Sequence, residues 1–256
     1  MEDYSFLYAM FQTSIKSNLQ TACHIYARSR FARQLGDRVG WAGEWQGDLE
    51  SVLKHRSLEY LDSLMKVNGI NPVRFCSALA HVLLEGTEKI NTFVLSGPTN
   101  TGKTLLTTCI AQPFDCVRLL NTKGDTRFFL QNVSKASIAV YEEPRINCDN
   151  VDQMKQFLGG EPTATDVKGG DQIVLDRTPV LISNNNTLTS NLNAIDAEAI
   201  LSRCHVFKLT RRIKSVIQHG ELAPPGDTIT AKEFWYWFFC QLHQFKPEEY
   251  FINYRS

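Results

Sequence analysis

Residues 97–104 have the residue types and the spacing that bind a phosphate chain, because they match the pattern G-x-x-x-x-G-K-[ST]. Glycines in such a loop let backbone N–H groups turn inward and surround an anion. Lys103 would place a positive charge at the β- and γ-phosphates, and Thr104 would offer a hydroxyl to Mg²⁺. The sequence therefore predicts a nucleoside triphosphate site. Its candidate contacts are Gly97, Pro98, Thr99, Asn100, Thr101, Gly102, Lys103, Thr104 and Leu105.

A chance match to this pattern is expected in about one chain of this size in a hundred. The local context argues against chance, because an apolar run, 92–96, precedes the loop and a helical stretch, 104–111, follows it. A strand before the loop and a helix after it are the context that a phosphate loop requires. The positive end of that helix would point at the phosphates.

Two acids, Glu142 and Glu143, directly follow the apolar run 137–141. A Mg²⁺ ion needs a carboxylate at the end of a nearby strand, and the attacking water needs a residue that polarises it. We assign Glu142 to the metal and Glu143 to the base, although the sequence alone leaves the reverse assignment open. Two solvated acids in an ordinary turn are the alternative.

The elements that must position these residues form an alternating pattern. Short apolar runs at 92–96, 117–120, 137–141, 178–183 and 205–209 show little alternation, as expected for strands covered on both faces. Helical stretches at 104–111 and 149–158 lie between some of them. The pattern predicts an α/β fold with a mainly parallel central sheet flanked by helices.

The regions on either side of this pattern are predicted to be helical. A first apolar stripe recurs at three- and four-residue spacing over 4–19, and a second spans 49–65 and ends at Asn68-Gly69. Asn71-Pro72 predicts the start of a helix that runs to about Glu85. Near the end, Thr230 and Glu233 fit a capping box before the aromatic run 234–239, which we interpret as core packing. We predict a small helical domain at 1–88 and the α/β domain at 89–256.

Composition excludes several classes of protein. The 256 residues carry 27 basic and 27 acidic side chains, so no bulk positive charge would coat a nucleic acid. Seven scattered cysteines without a C-x-x-C pair favour reduced thiols over a disulfide framework or a zinc site. The densest apolar run, 234–240, is much shorter than the roughly 20 residues that span a bilayer, so we expect no membrane segment.

In their order along the chain, the motifs resemble those of superfamily 3 helicases of small DNA viruses, above all the helicase domain of the parvovirus large nonstructural replication protein (Rep type). The resemblance extends from about Leu61 to Phe239. Papillomavirus and polyomavirus helicases share the plan and are the second choice. The motifs of this chain that carry the resemblance are Val67 to Pro72, the phosphate loop at 97–104, the two-acid strand at 138–143, Phe157 to Gly160, Asp166 to Lys168, Thr178 to Asn185, Arg203, and Phe207 to Arg212.

The resemblance implies an AAA+-type P-loop fold that hydrolyses ATP with Mg²⁺. It also implies a ring, usually a hexamer, that surrounds single-stranded DNA in a central channel. Such a domain moves 3′ to 5′ and unwinds viral DNA for replication, with packaging as a further expectation, in the host cell nucleus. Region 1–88 would then be the collar that helps subunits associate.

The family pattern also implies roles for three further residues. Asn185 lies at the sensor position, although a shift of one residue would move this role to Asn184. Arg203 occupies the position of an arginine finger, which a neighbouring subunit would insert. Lys168 would cap a hairpin with arms at 162–167 and 172–177 and contact DNA phosphate, whereas a turn without a ligand is the alternative. Gly170 stands where related proteins often carry a second Lys, which predicts fewer phosphate contacts.

Two observations concern what surrounds this domain. The six histidines include no pair at i, i+2, so we expect the family's N-terminal nicking domain to be missing from this chain. Basic residues Arg28, Arg30, Arg33 and Arg38 could contact DNA or a neighbour's acids, or form a solvated basic face.

Two other classes of function stay open at this point. A monomeric P-loop phosphotransferase would share the loop but would need an acceptor pocket and no partner subunit. A nucleotide-gated assembly platform would bind ATP without turnover, and the paired glutamates argue against it.

Overall fold

The computed structural model describes residues 22, 29–46, 55–84, 89–119, 128–218, 220 and 229–243. The predicted stripe at 4–19, the first part of the stripe at 49–65, and Arg28 lie outside these residues. The predictions made for them are therefore not addressed by the structure.

The centre of the fold is a five-stranded sheet in the order β2-β3-β6-β1-β7, and all its strand pairs are parallel. A separate antiparallel pair is formed by β4 and β5. Each predicted apolar run forms a strand, with ends displaced by no more than a few residues. The strands are β1 Thr92–Ser96, β2 Cys116–Leu119, β3 Ile138–Glu142, β4 Thr163–Thr165, β5 Ile173–Leu175, β6 Val180–Asn184 and β7 Cys204–Lys208.

Helices flank the sheet, and residues 29–36 and the short 3₁₀ turn Val133–Lys135 are also helical. The predicted α/β fold with a mainly parallel sheet is confirmed. The labelled α-helices are α1 Arg38–Gln46, α2 His55–Val67, α3 Pro72–Leu83, α4 Lys103–Ala111, α5 Val151–Gly159, α6 Ala194–Leu201, α7 Ile213–Gln218 and α8 Ala231–His243.

Local sequence signals account for several helix ends. The Asn71 side chain accepts a hydrogen bond from the Arg74 N–H at 3.0 Å, with Pro72 opening helix α3. At the start of α8, the Glu233 carboxylate accepts from the Thr230 N–H, and the Thr230 hydroxyl accepts from the Glu233 N–H. Both predicted caps are confirmed.

Two hydrophobic clusters cover the two faces of the sheet. On one face, α2, α3, α4 and α8 pack together, and the aromatic run contributes fully buried rings such as Trp235 and Trp237. The run is therefore core packing, as predicted. On the other face, α5 packs through Met154 and Leu158. Described residues from both sides of position 88 share the first cluster, and the boundary between the domains stays a prediction.

Arg38 corrects one expectation. It is 1% exposed, and its Nε donates to the Ser137 carbonyl at 2.9 Å. The prediction that it reaches DNA or a neighbour, or lies on a solvated face, is wrong, because its guanidinium joins α1 to the start of β3. Arg30 pairs with Asp115 at 3.6 Å, and Arg33 forms an ion pair with Glu44.

The edge strand β7 contacts α3 through a pair of histidines. The His81 Nδ1 lies 2.9 Å from the His205 Nε2. Burial, together with the neighbouring His81 and Arg74, lowers the pKa of the His205 imidazole to about 4. His205 is therefore neutral in the folded protein at a pH where an exposed histidine would be half protonated.

We expect this packing to make stability depend on pH. Between about pH 6.5 and about pH 4 the unfolded chain binds a proton at position 205 that the folded chain does not. The free energy of unfolding therefore decreases as pH falls from about 6.5 to about 4, and above about pH 6.5 this histidine causes no such loss. His205→Gln cannot titrate, so its free energy of unfolding should fall by roughly 1–3 kcal/mol less than that of the wild type over this range. Urea unfolding at pH 7.5 and pH 4.5 measures the difference, and equal losses in the two proteins would contradict it.

Candidate nucleotide-binding site at the carboxyl edge of the sheet

The phosphate loop, residues 97–104, connects β1 to α4. Gly97 and Gly102 have positive φ angles of 138° and 95°. The Gly97 N–H donates to the Asn184 carbonyl at 3.1 Å, and a Cβ at Gly97 would lie 1.9 Å from the Leu209 carbonyl oxygen. No other residue fits there without displacing the backbone. A further hydrogen bond, from the Ile213 N–H to the Asn100 carbonyl at 2.9 Å, anchors the tip of the loop.

Lys103 lies within the curve of this loop and is 5% exposed. Its Nζ donates to the Gly97 and Pro98 carbonyls at 2.7 and 2.6 Å. Burial lowers the pKa of the Lys103 ammonium, and the negative charge of Glu143 opposes that shift. The ammonium is thus held where phosphate oxygens could accept its hydrogen bonds in place of the carbonyls.

A cleft of about 480 Å³ opens beside the loop at the carboxyl ends of β1, β3 and β6. Parallel strands end at the same edge, so residues that are distant in sequence meet there. The structure brings together the loop, both predicted acids and the predicted sensor. The cleft is lined by Thr99, Asn100, Thr101, Gly102, Lys103, Thr104, Leu105, Glu142, Glu143, Ser183 and Asn185.

The carboxylates of Glu142 and Glu143 accept hydrogen bonds from different partners. Glu143 has a φ of 49°, its N–H donates to the Ser183 carbonyl at 2.8 Å, and its Oε1 accepts from the Asn185 N–H at 2.9 Å. The Glu142 Oε1 instead accepts from the Arg118 Nη1 at 2.7 Å. Sequence reasoning missed Arg118. An arginine inside the apolar run of β2 was the available signal.

The sensor position can be described for both candidates. Asn184 is the last residue of β6 and 4% exposed, and its Oδ1 accepts from the Asn186 N–H at 3.3 Å. Asn185 is exposed and lines the cleft. The position of Asn185 at the cleft favours our assignment, which stays a prediction.

Arg203 does not lie at this cleft. It directly precedes β7, whose first residue, Cys204, pairs with the first residue of β1. The phosphate loop instead follows the last residue of β1. Its Nε donates to the Lys155 carbonyl at 2.8 Å, and its Nη2 lies 3.7 Å from the Glu161 Oε1. A five-residue strand spans about 16 Å. Arg203 therefore lies at the amino ends of the strands, and the cleft lies at their carboxyl ends.

Lys168 also lies away from the cleft, in the turn between β4 and β5. Its side chain is exposed, and its N–H donates to the Gln131 Oε1 at 3.2 Å. Gly169 adopts a φ of 74° in this turn. The predicted hairpin is therefore present, and its tip presents a lysine to solvent.

The donor atoms at the cleft suit a hard divalent cation, since the Thr104 hydroxyl and the Glu142 carboxylate are oxygen ligands. Among the described residues, no group of three or more His, Cys, Asp or Glu could hold a metal ion. A cation here would share its coordination with phosphate oxygens and water, as Mg²⁺ commonly does in nucleotide sites.

The strand order, the phosphate loop between β1 and α4, and the acids at the end of β3 define an AAA+-type P-loop domain. The sequence profile of the family "Parvovirus non-structural protein NS1" matches residues 51–222, about two thirds of the chain. The chain belongs to this family and has the superfamily 3 helicase domain, as the motifs predicted.

Individual relatives agree with this assignment. The initiator protein NS1 of Aedes densonucleosis virus (strain GKV 002 002) is 30% identical over 166 residues, 65% of this chain and 19% of that protein. NS1 of primate bocaparvovirus 1 is 32% identical over 173 residues, 66% of this chain and 21% of that protein. Replication protein E1 of human papillomavirus type 16 is 26% identical over 200 residues, 74% of this chain and 28% of that protein. The chain thus spans about a fifth of the length of its NS1 relatives.

The fold is shared with a solved helicase. The X-ray structure of JCV helicase superposes with a TM-score of 0.56 at 10% identity, covering 92% of this chain and 69% of that one.

Across the residues that the structure describes, no helix has the length and apolar character needed to cross a membrane.

We expect Gly97→Ala to weaken nucleotide binding at least tenfold. A methyl group at position 97 would meet the Leu209 carbonyl at 1.9 Å, so the loop must move from the position that aims its N–H groups at phosphate. Titration with a fluorescent ATP analogue measures the affinity. Gly36→Ala is the control, because a Cβ there meets no atom within 4 Å. Unchanged affinity in Gly97→Ala would contradict this account of the loop.

Proposed function

We propose that this chain is the ATP-driven DNA helicase domain of a viral replication initiator. The observation that supports it most strongly is the convergence of the phosphate loop, Lys103 and Glu143 on one cleft of an NS1-family domain. Relatives named as initiator and replication proteins agree with this role. In this proposal the domain unwinds viral DNA for replication, and for packaging, in the host cell nucleus.

ATP would lie with its phosphates against the N-terminus of α4. Lys103 would then exchange its carbonyl contacts for the β- and γ-phosphates. Thr104 and Glu142 would hold Mg²⁺, which neutralises phosphate charge when it is bound. These roles use the atoms that already face the cleft.

Hydrolysis requires a water in line with the γ-phosphate. The Glu143 carboxylate is oriented by the Asn185 N–H at 2.9 Å and would accept a proton from that water as its oxygen attacks phosphorus. The bond from the γ-phosphorus to the bridging oxygen breaks, which releases ADP and phosphate. Asn185 would position the water or contact the γ-phosphate with its side-chain amide.

The role proposed for Arg203 requires self-association. Because Arg203 and the cleft lie at opposite edges of one subunit, Arg203 can contact a γ-phosphate only in a neighbour. Such a contact is head-to-tail, and head-to-tail contacts that close form a ring. We propose a hexamer in which region 1–88 acts as the collar, and in which an N-terminal nicking domain of the full-length protein would be a further part of the assembly.

Lys168 would face the central channel of that ring. One exposed lysine from each subunit would line the channel and contact the phosphates of single-stranded DNA. Movement 3′ to 5′ along that strand completes the proposal.

We expect Lys103→Ala to abolish DNA-stimulated ATP hydrolysis and strand displacement, since the buried ammonium that faces the phosphates is lost. Both activities are measured on a forked duplex with ATP and Mg²⁺. Lys66→Ala, an exposed lysine in α2, is the matched control and should retain activity. Normal hydrolysis in Lys103→Ala, or phosphate transfer to a small acceptor by a monomer, would contradict the proposal.

A second experiment tests the neighbour's role. Arg203→Ala and Lys103→Ala subunits should each be inactive alone, whereas mixtures should recover part of the ATPase activity. Recovery is expected because some mixed interfaces pair an intact loop with an intact arginine. Mixing ratios give the fraction recovered, and co-assembly is checked by light scattering. Absence of recovery in mixtures that do co-assemble would show that Arg203 does not act across the interface.

A further inference from the structure

Strand register places an arginine beside one of the two acids. Arg118 in β2 pairs with Val140 in β3, and side chains two residues apart lie on the same face of a strand. Arg118 and Glu142 are therefore diagonal neighbours on one face of the sheet, within reach of long side chains. Their side chains meet at 2.7 Å, and are 48% and 41% exposed.

This contact distinguishes the two glutamates. The Glu143 Oε1 accepts from a backbone N–H, and the negative charge of this carboxylate acts on the Lys103 ammonium. Glu142 meets a guanidinium, which offsets its charge. The carboxylate that faces the proposed metal position is thus already engaged with a cation.

A guanidinium and a divalent cation compete for the same carboxylate oxygen. The two positive charges also repel each other, so a metal at Glu142 is favoured only when Arg118 moves aside. Arg118 can do so, because it lies on an edge strand with its side chain half exposed.

We propose that Arg118 is a positioning residue that holds Glu142 in an ion pair until the divalent cation that accompanies the nucleotide displaces it. This inference rests on the proposed role of Glu142 in metal binding. Arg118 thereby sets the cation concentration that nucleotide binding requires. In the absence of that cation, it offsets the negative charge of the Glu142 carboxylate.

The test measures how much Mn²⁺ the full chain needs to bind a fluorescent, non-hydrolysable ATP analogue. Arg118→Gln should lower the half-saturating Mn²⁺ concentration about two- to fivefold, the size expected for a half-exposed ion pair. Arg118→Lys, which keeps the charge, should have a half-saturating Mn²⁺ concentration between those of Arg118→Gln and the wild type. Lys135→Gln, which removes another exposed positive charge just before β3, should leave it unchanged. An unchanged or higher Mn²⁺ requirement in Arg118→Gln would overturn the inference.

Glu142→Gln separates this inference from the proposal on which it rests. Alone, it should raise the Mn²⁺ requirement, and adding Arg118→Gln should then have no further effect. A further decrease in the double variant would show that Arg118 acts through another group, against the inference. If Glu142→Gln leaves the Mn²⁺ requirement unchanged, Glu142 does not hold the metal, and both the assignment and the inference are wrong. If Glu142→Gln raises it but Arg118→Gln does not lower it, only the inference fails.

Discussion

The close approach of Gly97 to the strands on either side of β1 is the constraint on which the rest of the site depends. On one side the Gly97 N–H donates to the Asn184 carbonyl at the end of β6. On the other side, the Leu209 N–H donates to the Ser96 carbonyl at 2.8 Å, which brings the Leu209 carbonyl against the Gly97 α-carbon. These backbone contacts hold the loop between its two neighbours, so the N–H groups of the loop would need little reorganisation to surround a phosphate.

Asn68, which the sequence marks as a helix stop and as part of the motif Val67 to Pro72, extends this constraint. The Asn68 Oδ1 accepts from the N–H groups of Thr210 and Arg211 at 2.8 and 3.0 Å. The end of α2 therefore fixes the segment after β7, and that segment fixes the loop. This chain of contacts links the helical region before the sheet to the nucleotide cleft, in agreement with the shared hydrophobic cluster.

The parts of the fold that the sequence predicts are those with local causes. Apolar runs in strands covered on both faces, the Asn71 cap and the glycine-rich loop all follow from residues within a few positions of each other. The pairing of Arg118 with Glu142 is not local, because it depends on the register of β2 against β3. The same applies to Arg38, whose partner, the Ser137 carbonyl, is 99 positions away in sequence. An arginine that contacts DNA and an arginine that joins two elements of the core have the same appearance in sequence, and only the fold separates them.

The net charge of the chain, like the type of a single residue, does not show where individual charges lie in the fold. Equal numbers of acids and bases argue against bulk attraction to DNA, but they do not constrain where single charges lie. In the proposed ring, one exposed Lys168 from each subunit would form a ring of positive charges, and a narrow channel lined by low-dielectric protein would concentrate that field. Assembly would also bring Arg203 to a neighbour's cleft, so the same contact would complete both the catalytic site and the DNA channel. In that assembly a single subunit would bind DNA weakly, and its dependence on neighbours would couple hydrolysis to the presence of a complete ring.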